Sequence, residues 1–244
     1  MAETLVIASH GLPDAGQAQR LRLDLPAGEW QWITRLRQPD DRLRSLAGRA
    51  LARRLLAGRL GLAPAEVPLA AGPNGKPGLA RSPEIPPRSP GDDGGPPGSE
   101  WHFNIAHSGS MVLVAIGPQP LGVDVETCPA AVDAALLRLV TGEDANEALR
   151  DPQAFCAEWA CREAVLKACG LGLAAEPARL RLAADDGGWR RASGVPEAEG
   201  LRVRMLWQSP EHCAALCLAP NSRDAWKLLR LDLADWLEDP RLLA

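Results

Sequence analysis

Two stretches of this chain faintly echo each other, and the echo bears on what the chain can fold into. "AGRALARRLLAGRLGLA" (47–63) and "ACREAVLKACGLGLA" (160–174) each run from an Arg-bearing helix into a Gly-Leu turn. Leu43, Leu46, Ala47, Ala50, Leu51 and Leu55 follow helical spacing over residues 40–57, and Asp40 and Asp41 suit the positive end of that helix. Arg42, Arg44, Arg49, Arg53 and Arg54 decorate its other faces and, for the most part, predict a solvated basic surface. The second copy belongs to a helix expected over 152–169, striped by Phe155, Trp159 and Leu166 and stopped by Gly170. Around the two helices lie only short strand candidates, near 5–9, 103–105, 112–116, 121–126, 179–183, 201–207, 213–218 and 226–231. A helix beside a small sheet, present twice, fits two related halves, 1–119 and 120–244, meeting near Gly117–Leu121. "TGED" (141–144) has the form of a capping box and predicts a further helix start at Thr141. The stretch 82–99, "SPEIPPRSPGDDGGPPGS", predicts a mobile surface loop.

The charge balance excludes a general nucleic-acid binder. Residues 1–119 hold 13 basic and 11 acidic side chains, and the whole chain carries −4. The first half can still offer a local basic patch to an anionic ligand. No stretch approaches the ~18–20 apolar residues of a membrane span. The start, "MAETLVIASHGLPDAGQ", places Glu3 and no basic segment before its apolar run, unlike a signal peptide. A cytoplasmic protein is the expectation. None of the six cysteines forms a Cys-x-x-Cys pair, and a zinc site from His212, Cys213 and Cys217 fits no usual spacing. The thiols are expected to be small buried core residues in a reducing compartment.

In "LGVDVE" (121–126), read as a strand, Val123 and Val125 face one way and Asp124 and Glu126 the other. Like charges placed so close repel unless a cation or a proton intervenes. An edge strand with one wet face is one account of them. On the helix 152–169, Glu163 lies about 40° from Trp159, at the rim of the apolar stripe, counting ~100° per residue. A carboxylate there needs a cation or hydrogen bonds. Lys167, one turn on, is one candidate partner. In the other account Glu163 joins Asp124 and Glu126 as a set of hard oxygens suited to Mg²⁺, which often carries a substrate's phosphates. His107 in a turn between strands, Lys76 in an exposed "NGKPG", and Arg44 with Ser45 at the start of the first helix are candidate phosphate contacts.

In this order, "NGKPGL", "FNIAHSGS", "LGVDVE" and "EWACREAVLKACGLGL" resemble the signatures of 4′-phosphopantetheinyl transferases of the Sfp type, over roughly residues 40–175. The resemblance implies an α+β pseudo-dimer of two similar halves, each a small antiparallel sheet packed with helices, acting as a monomer. It implies that the 4′-phosphopantetheine arm of coenzyme A moves to a serine of an apo acyl or peptidyl carrier protein, releasing 3′,5′-ADP. Asp124 and Glu126 match the family's metal-binding acids, for Mg²⁺ or Mn²⁺. Trp159, Glu163 and Lys167 match its W-x-x-K-E-x-x-x-K pattern. Glu163 would be the third metal ligand or the base for the carrier serine, and Lys167 would hold a coenzyme A phosphate. His107 and Ser108 in "HSG" and Lys76 in "GKP" match phosphate-contacting positions; Arg44 and Ser45 match positions beside the nucleotide. Four departures stand out: Arg162 replaces a Lys, Ala106 a frequent Ser, Glu29 to Trp32 offer no basic match, leaving Arg35 or Arg37 as substitutes, and the 82–99 loop is longer than the family pattern implies. The expected partner is an acidic carrier protein docking near 127–140, where Leu136, Leu137 and Leu139 either line a groove or belong to the core; neither nucleic acid nor membrane is expected as a partner. A non-catalytic coenzyme A-binding module, a metal-dependent phosphohydrolase and a purely structural protein are the rival readings.

Overall fold

A computed structural model describes residues 3–71, 77–80, 101–142, 147–171, 176–220, 222 and 225–243. Lys76 and the 82–99 stretch therefore lie outside the described residues. The elements run β1 (Thr4–His10), α1 (Ala15–Arg22), α2 (Ala27–Thr34), α3 (Pro39–Leu60), β2 (Leu69–Ala71), β3 (Pro77–Leu79), β4 (His102–Ser108) and β5 (Met111–Gly117). They continue with β6 (Leu121–Thr127), α4 (Ala134–Thr141), α5 (Pro152–Cys169), β7 (Arg181–Ala184), β8 (Arg190–Ser193), β9 (Arg202–Gln208), β10 (His212–Leu218), β11 (Trp226–Asp232) and α6 (Leu233–Glu238). The architecture is α+β, with small sheets packed with helices. Among the described residues no helix is long and apolar enough to cross a membrane.

The chain forms two compact units, one of Met1–Gln119 with Ala225–Ala244, the other of Pro120–Asp224. The expected half 120–244 is thus corrected at its end. Strand β11 lies beside β1, running from Thr4 opposite Trp226 to His10 opposite Asp232. That pairing is parallel, so the first unit's sheet, in the order β11-β1-β5-β4, is mixed and not purely antiparallel. A parallel pair needs no hairpin, so neither the partner nor its direction could be read from local sequence. Helix α3 covers this sheet. Pro39 occupies its first turn with Asp40 and Asp41, and Gly61 at φ +69° ends it in the left-handed region. At Gly48 the helix comes so near the sheet that a Cβ would meet Ile105 Cγ2 at 2.7 Å.

The basic face of α3 is not simply solvated. Arg53 is 1% exposed; it bonds Glu29 and the carbonyls of Pro64 and Val67 at 2.7–2.9 Å. Arg49 also pairs with Glu29, and Arg54 with Asp24 at 2.7 Å. Glu29 and Asp24, thirty residues or fewer upstream, turn most of this basic face inward, because a buried guanidinium persists where its donors are met.

The second unit holds an antiparallel sheet in the order β6-β10-β9-β8-β7, packed against α5. Helix α5 occupies the expected 152–169. The Asp151 side chain accepts from the Ala154 N–H at 2.8 Å, Pro152 takes the first position, and Gly170 at φ +74° closes it. The start expected at Thr141 is corrected: Thr141 is the last residue of α4. Asp133 caps that helix by accepting from the Ala135 and Leu136 N–H groups, and Gly142 at φ +67° ends it. Within α4, Leu137 is core at 5% exposure, while Leu136 and Leu139 are exposed.

Candidate active site

In β6 the alternation is real but both faces are covered. Val123 and Val125 are buried, Asp124 is 2% exposed, and Glu126 is half-buried. The wet edge strand is therefore excluded; β6 is an edge of its sheet, but α5 lies on it. The closeness of the two elements rests on Gly122, where a Cβ would stand 2.0 Å from the Ala164 carbonyl oxygen and 2.5 Å from the Ala168 nitrogen. Only a residue without a side chain lets the helix backbone approach this far.

That approach brings the acids and the lysine together. Lys167 Nζ donates to Asp124 Oδ1 at 2.6 Å, and Trp159 Nε1 donates to Glu126 Oε1 at 3.1 Å. Asp124 Oδ2 and Glu163 Oε1 are buried without a hydrogen-bond partner. Burial pushes the Asp124 carboxyl up, and the Lys167 charge opposes this without cancelling it. Burial and then the Asp124 charge raise Glu163. The same two causes, in the same order, lift Glu126 to about 7. Among the described residues, three carboxylates beside one ammonium place negative charge in a buried setting that protons or a cation would relieve.

Hard carboxylate oxygens, two of them buried and unpartnered, fit a magnesium-type cation. As they stand the three carboxylates are spread wider than one ion's immediate shell, since among the described residues the trio of metal-ligand atoms lying within 4.8 Å of one another is made of thiols.

The first unit places four more candidates. His107 lies on β4, not in the turn, opposite Val112, and Ser108 lies opposite Met111; Gly109 and Ser110 make the turn. Arg44 Nη1 donates to the Gly109 carbonyl at 2.8 Å and Arg44 Nη2 to Asp41 Oδ1 at 2.7 Å, so the start of α3 is tied to the turn that follows His107 and Ser108. Ser45, next to it, is buried. A cavity of about 390 Å³ is lined by Glu29, Trp32, Arg49 and Arg53 among others, with the Arg49 guanidinium 4.5 Å from the Trp32 ring centre. Its lining includes part of the segment where no upstream cation was matched, and the two cations there, Arg49 and Arg53, are already paired with Glu29. Arg162 is engaged in scaffold: it bonds Glu158 at 2.8 Å and the Pro177 and Leu180 carbonyls at 2.6 Å.

Gly122 and the Trp159–Glu126 hydrogen bond escaped sequence reasoning. Trp159 stood out only as part of a stripe and a pattern, and a glycine inside a strand is the signal that could have flagged a close backbone approach.

A family model described as 4′-phosphopantetheinyl transferase, N-terminal, matches residues 13–119. A 4′-phosphopantetheinyl transferase of Bacillus subtilis is 27% identical over 164 residues, covering 65% of this chain and 66% of that protein. A phosphopantetheinyl transferase of Thraustochytrium sp. is 27% identical over 262 residues, covering 93% of this chain and 84% of its own. The 4′-phosphopantetheinyl transferase HetI of Nostoc sp. is 31% identical over 186 residues, covering 68% of this chain and 73% of its own.

Proposed function

Because this chain belongs to the 4′-phosphopantetheinyl transferase family, we propose that it transfers the 4′-phosphopantetheine arm of coenzyme A to a serine of an apo acyl or peptidyl carrier protein. The serine oxygen bonds to the β-phosphorus of coenzyme A, the bond from that phosphorus to the bridging oxygen breaks, and 3′,5′-ADP leaves with that oxygen. The observation that carries this reading is the pair of buried, unpartnered oxygens, Asp124 Oδ2 and Glu163 Oε1, beside the Lys167 ammonium.

Asp124, Glu126 and Glu163 would hold Mg²⁺, or Mn²⁺ in its place. Bound there, the ion supplies charge neutralisation for the diphosphate. The chain's own groups do the rest. Glu163, raised by burial, takes the proton of the serine hydroxyl at a carboxylate oxygen. Lys167 holds Asp124 in place, and its ammonium charge is assigned to a phosphate of coenzyme A. Trp159 fixes Glu126 through its indole N–H. Arg44, Ser45, His107 and Ser108, with Lys76, are assigned to phosphate contacts of the nucleotide. We take the protein to be a monomer of the cytoplasm, where six cysteines without disulfides persist. We assign the exposed Leu136 and Leu139 to contact with the carrier.

The test is intact mass spectrometry of an apo carrier protein incubated with this protein, coenzyme A and Mg²⁺. A gain of one phosphopantetheine is expected, lost with EDTA and with a Ser→Ala carrier. No gain with several acyl and peptidyl carriers, despite coenzyme A binding, would move the assignment to a non-catalytic coenzyme A module. Release of 3′,5′-ADP without any acceptor would move it to a phosphohydrolase.

A further inference from the structure

Three cysteines far apart in sequence meet in the second unit. Cys128 directly follows β6, Cys156 lies in the second turn of α5, and Cys213 lies on β10. Their sulfurs all lie within 4.8 Å of one another, with Cys128 and Cys213 at 3.9 Å. Three sulfurs held by one ion at about 2.3 Å stand roughly 4 Å apart. A disulfide needs two sulfurs at about 2.05 Å and has no use for a third.

The scaffold fixes all three. Pairing of β10 with β6 sets His212 opposite Thr127, and the Cys128 N–H donates to the Glu211 carbonyl at 2.8 Å. Cys156 is set by α5. Among the described residues the thiols also make long contacts to backbone carbonyls: Cys156 to Glu126 at 3.4 Å, Cys128 to Ser209 at 3.6 Å, Cys213 to Gln153 at 3.8 Å. A thiol is a weak donor, so little is lost when its proton leaves. Cys156 and Cys213 are fully buried while Cys128 is half-buried, which leaves one side of the cluster reachable from solvent. Hydrogen bonding to Cys156 draws the Cys213 thiol down to about 7, while that same bond pushes Cys156 up and burial pushes Cys128 up, so the case for the site rests on the sulfur geometry.

We infer that Cys128, Cys156 and Cys213 form a three-thiolate site for a thiophilic cation of the Zn²⁺ and Cd²⁺ kind, with a fourth position open to water on the Cys128 side. Binding exchanges thiol protons for the ion and involves no redox step. The site is chemically separate from the carboxylates, since soft sulfur selects against Mg²⁺. It clips β6, β10 and α5 together, so occupancy raises the stability of the unit by mass action. It stands whether or not the chain transfers phosphopantetheine.

The experiment is an anaerobic titration of the reduced, metal-free protein with Cd²⁺, read through the ultraviolet thiolate-to-cadmium charge-transfer band, followed by competition. A band saturating at one equivalent is expected for the wild type and for Cys169→Ser, whose thiol lies outside the cluster. Zn²⁺ should displace it, and a large excess of Mg²⁺ should not. Cys128→Ser should lose the band, and Zn²⁺ should raise the melting temperature of the wild type but not of this variant. Absence of a thiolate band in the wild type overturns the inference whatever the variants do. So does an undiminished band in a Cys128→Ser protein whose circular dichroism matches the wild type.

Discussion

Lys167 Nζ stands 2.6 Å from Asp124 Oδ1, joining the last turn of α5 to the middle of β6. Asp124 is almost wholly buried, whereas Lys167 keeps about a quarter of its side chain in solvent. The two partners are therefore unequal. Losing the lysine strands a buried carboxylate; losing the carboxylate lets the lysine turn to water.

Lys167→Met should cost about 3–5 kcal/mol, the range for removing one partner of a buried pair. Asp124→Asn should cost less. The double variant should recover part of the Lys167→Met loss, because a neutral Asn no longer needs the ammonium. Urea unfolding of all four proteins closes the cycle. Strict additivity would show that the pair is not coupled.

Glu163→Gln separates chemistry from folding. The substitution keeps shape and removes a buried charge with an unpartnered oxygen. The melting temperature of the metal-free protein should hold or rise. Transfer to a carrier should fall by about 10²-fold or more, the scale for losing a general base. Asp124→Ala should likewise abolish transfer with the fold retained. Full activity in either variant removes that residue from the proposed machinery.

Much of this was open to sequence reading. Helix α5 could be bounded because its signals are local: Asp151 and Pro152 at one end, Gly170 at the other. Asp124, Glu126, Glu163 and Lys167 were singled out by period and pattern. What escaped is non-local. Strand β11 crosses from the far end of the chain to pair with β1 in parallel. Arg53 reads as a surface cation until Glu29 and two backbone carbonyls surround it. Thr141 reads as a helix start until Asp133, eight residues earlier, takes the capping role. The thiol trio draws on residues 128, 156 and 213, a spacing that matches no zinc pattern.

Gly122→Ala tests how the site is held. The new Cβ would meet helix backbone at 2.0 and 2.5 Å, atoms that cannot swing away as a flexible side chain would. Strand and helix must separate, at a cost of about 1–3 kcal/mol or more for overpacking. Asp124, two residues on, would move relative to Lys167, so transfer should fall together with the urea midpoint. A variant of wild-type stability and activity would mean that the close approach is dispensable.

The raised Glu126 carboxyl predicts an unusual pH response of the metal-free protein. Its value climbs from 4.5 to about 7 on folding. Below 4.5 both states carry the proton and the contribution is complete. Between 4.5 and about 7 the unfolded chain has lost the proton while the folded protein keeps it, so stability falls as pH rises. The slope is about 1.4 kcal/mol per pH unit at most. Asp124 and Glu163 are shifted the same way and add to it. Urea midpoints measured across this window without metal should therefore decline, and Glu126→Gln should flatten the decline. Trp159→Phe removes the hydrogen bond that holds the Glu126 value down and should extend the decline to higher pH. Saturating Mg²⁺ should reverse it, because a bound cation favours the ionised carboxylates. A metal-free stability that stays level from pH 4.5 to 7 would mean that these carboxylates ionise freely, and with that the electrostatic case for a cation among them would go.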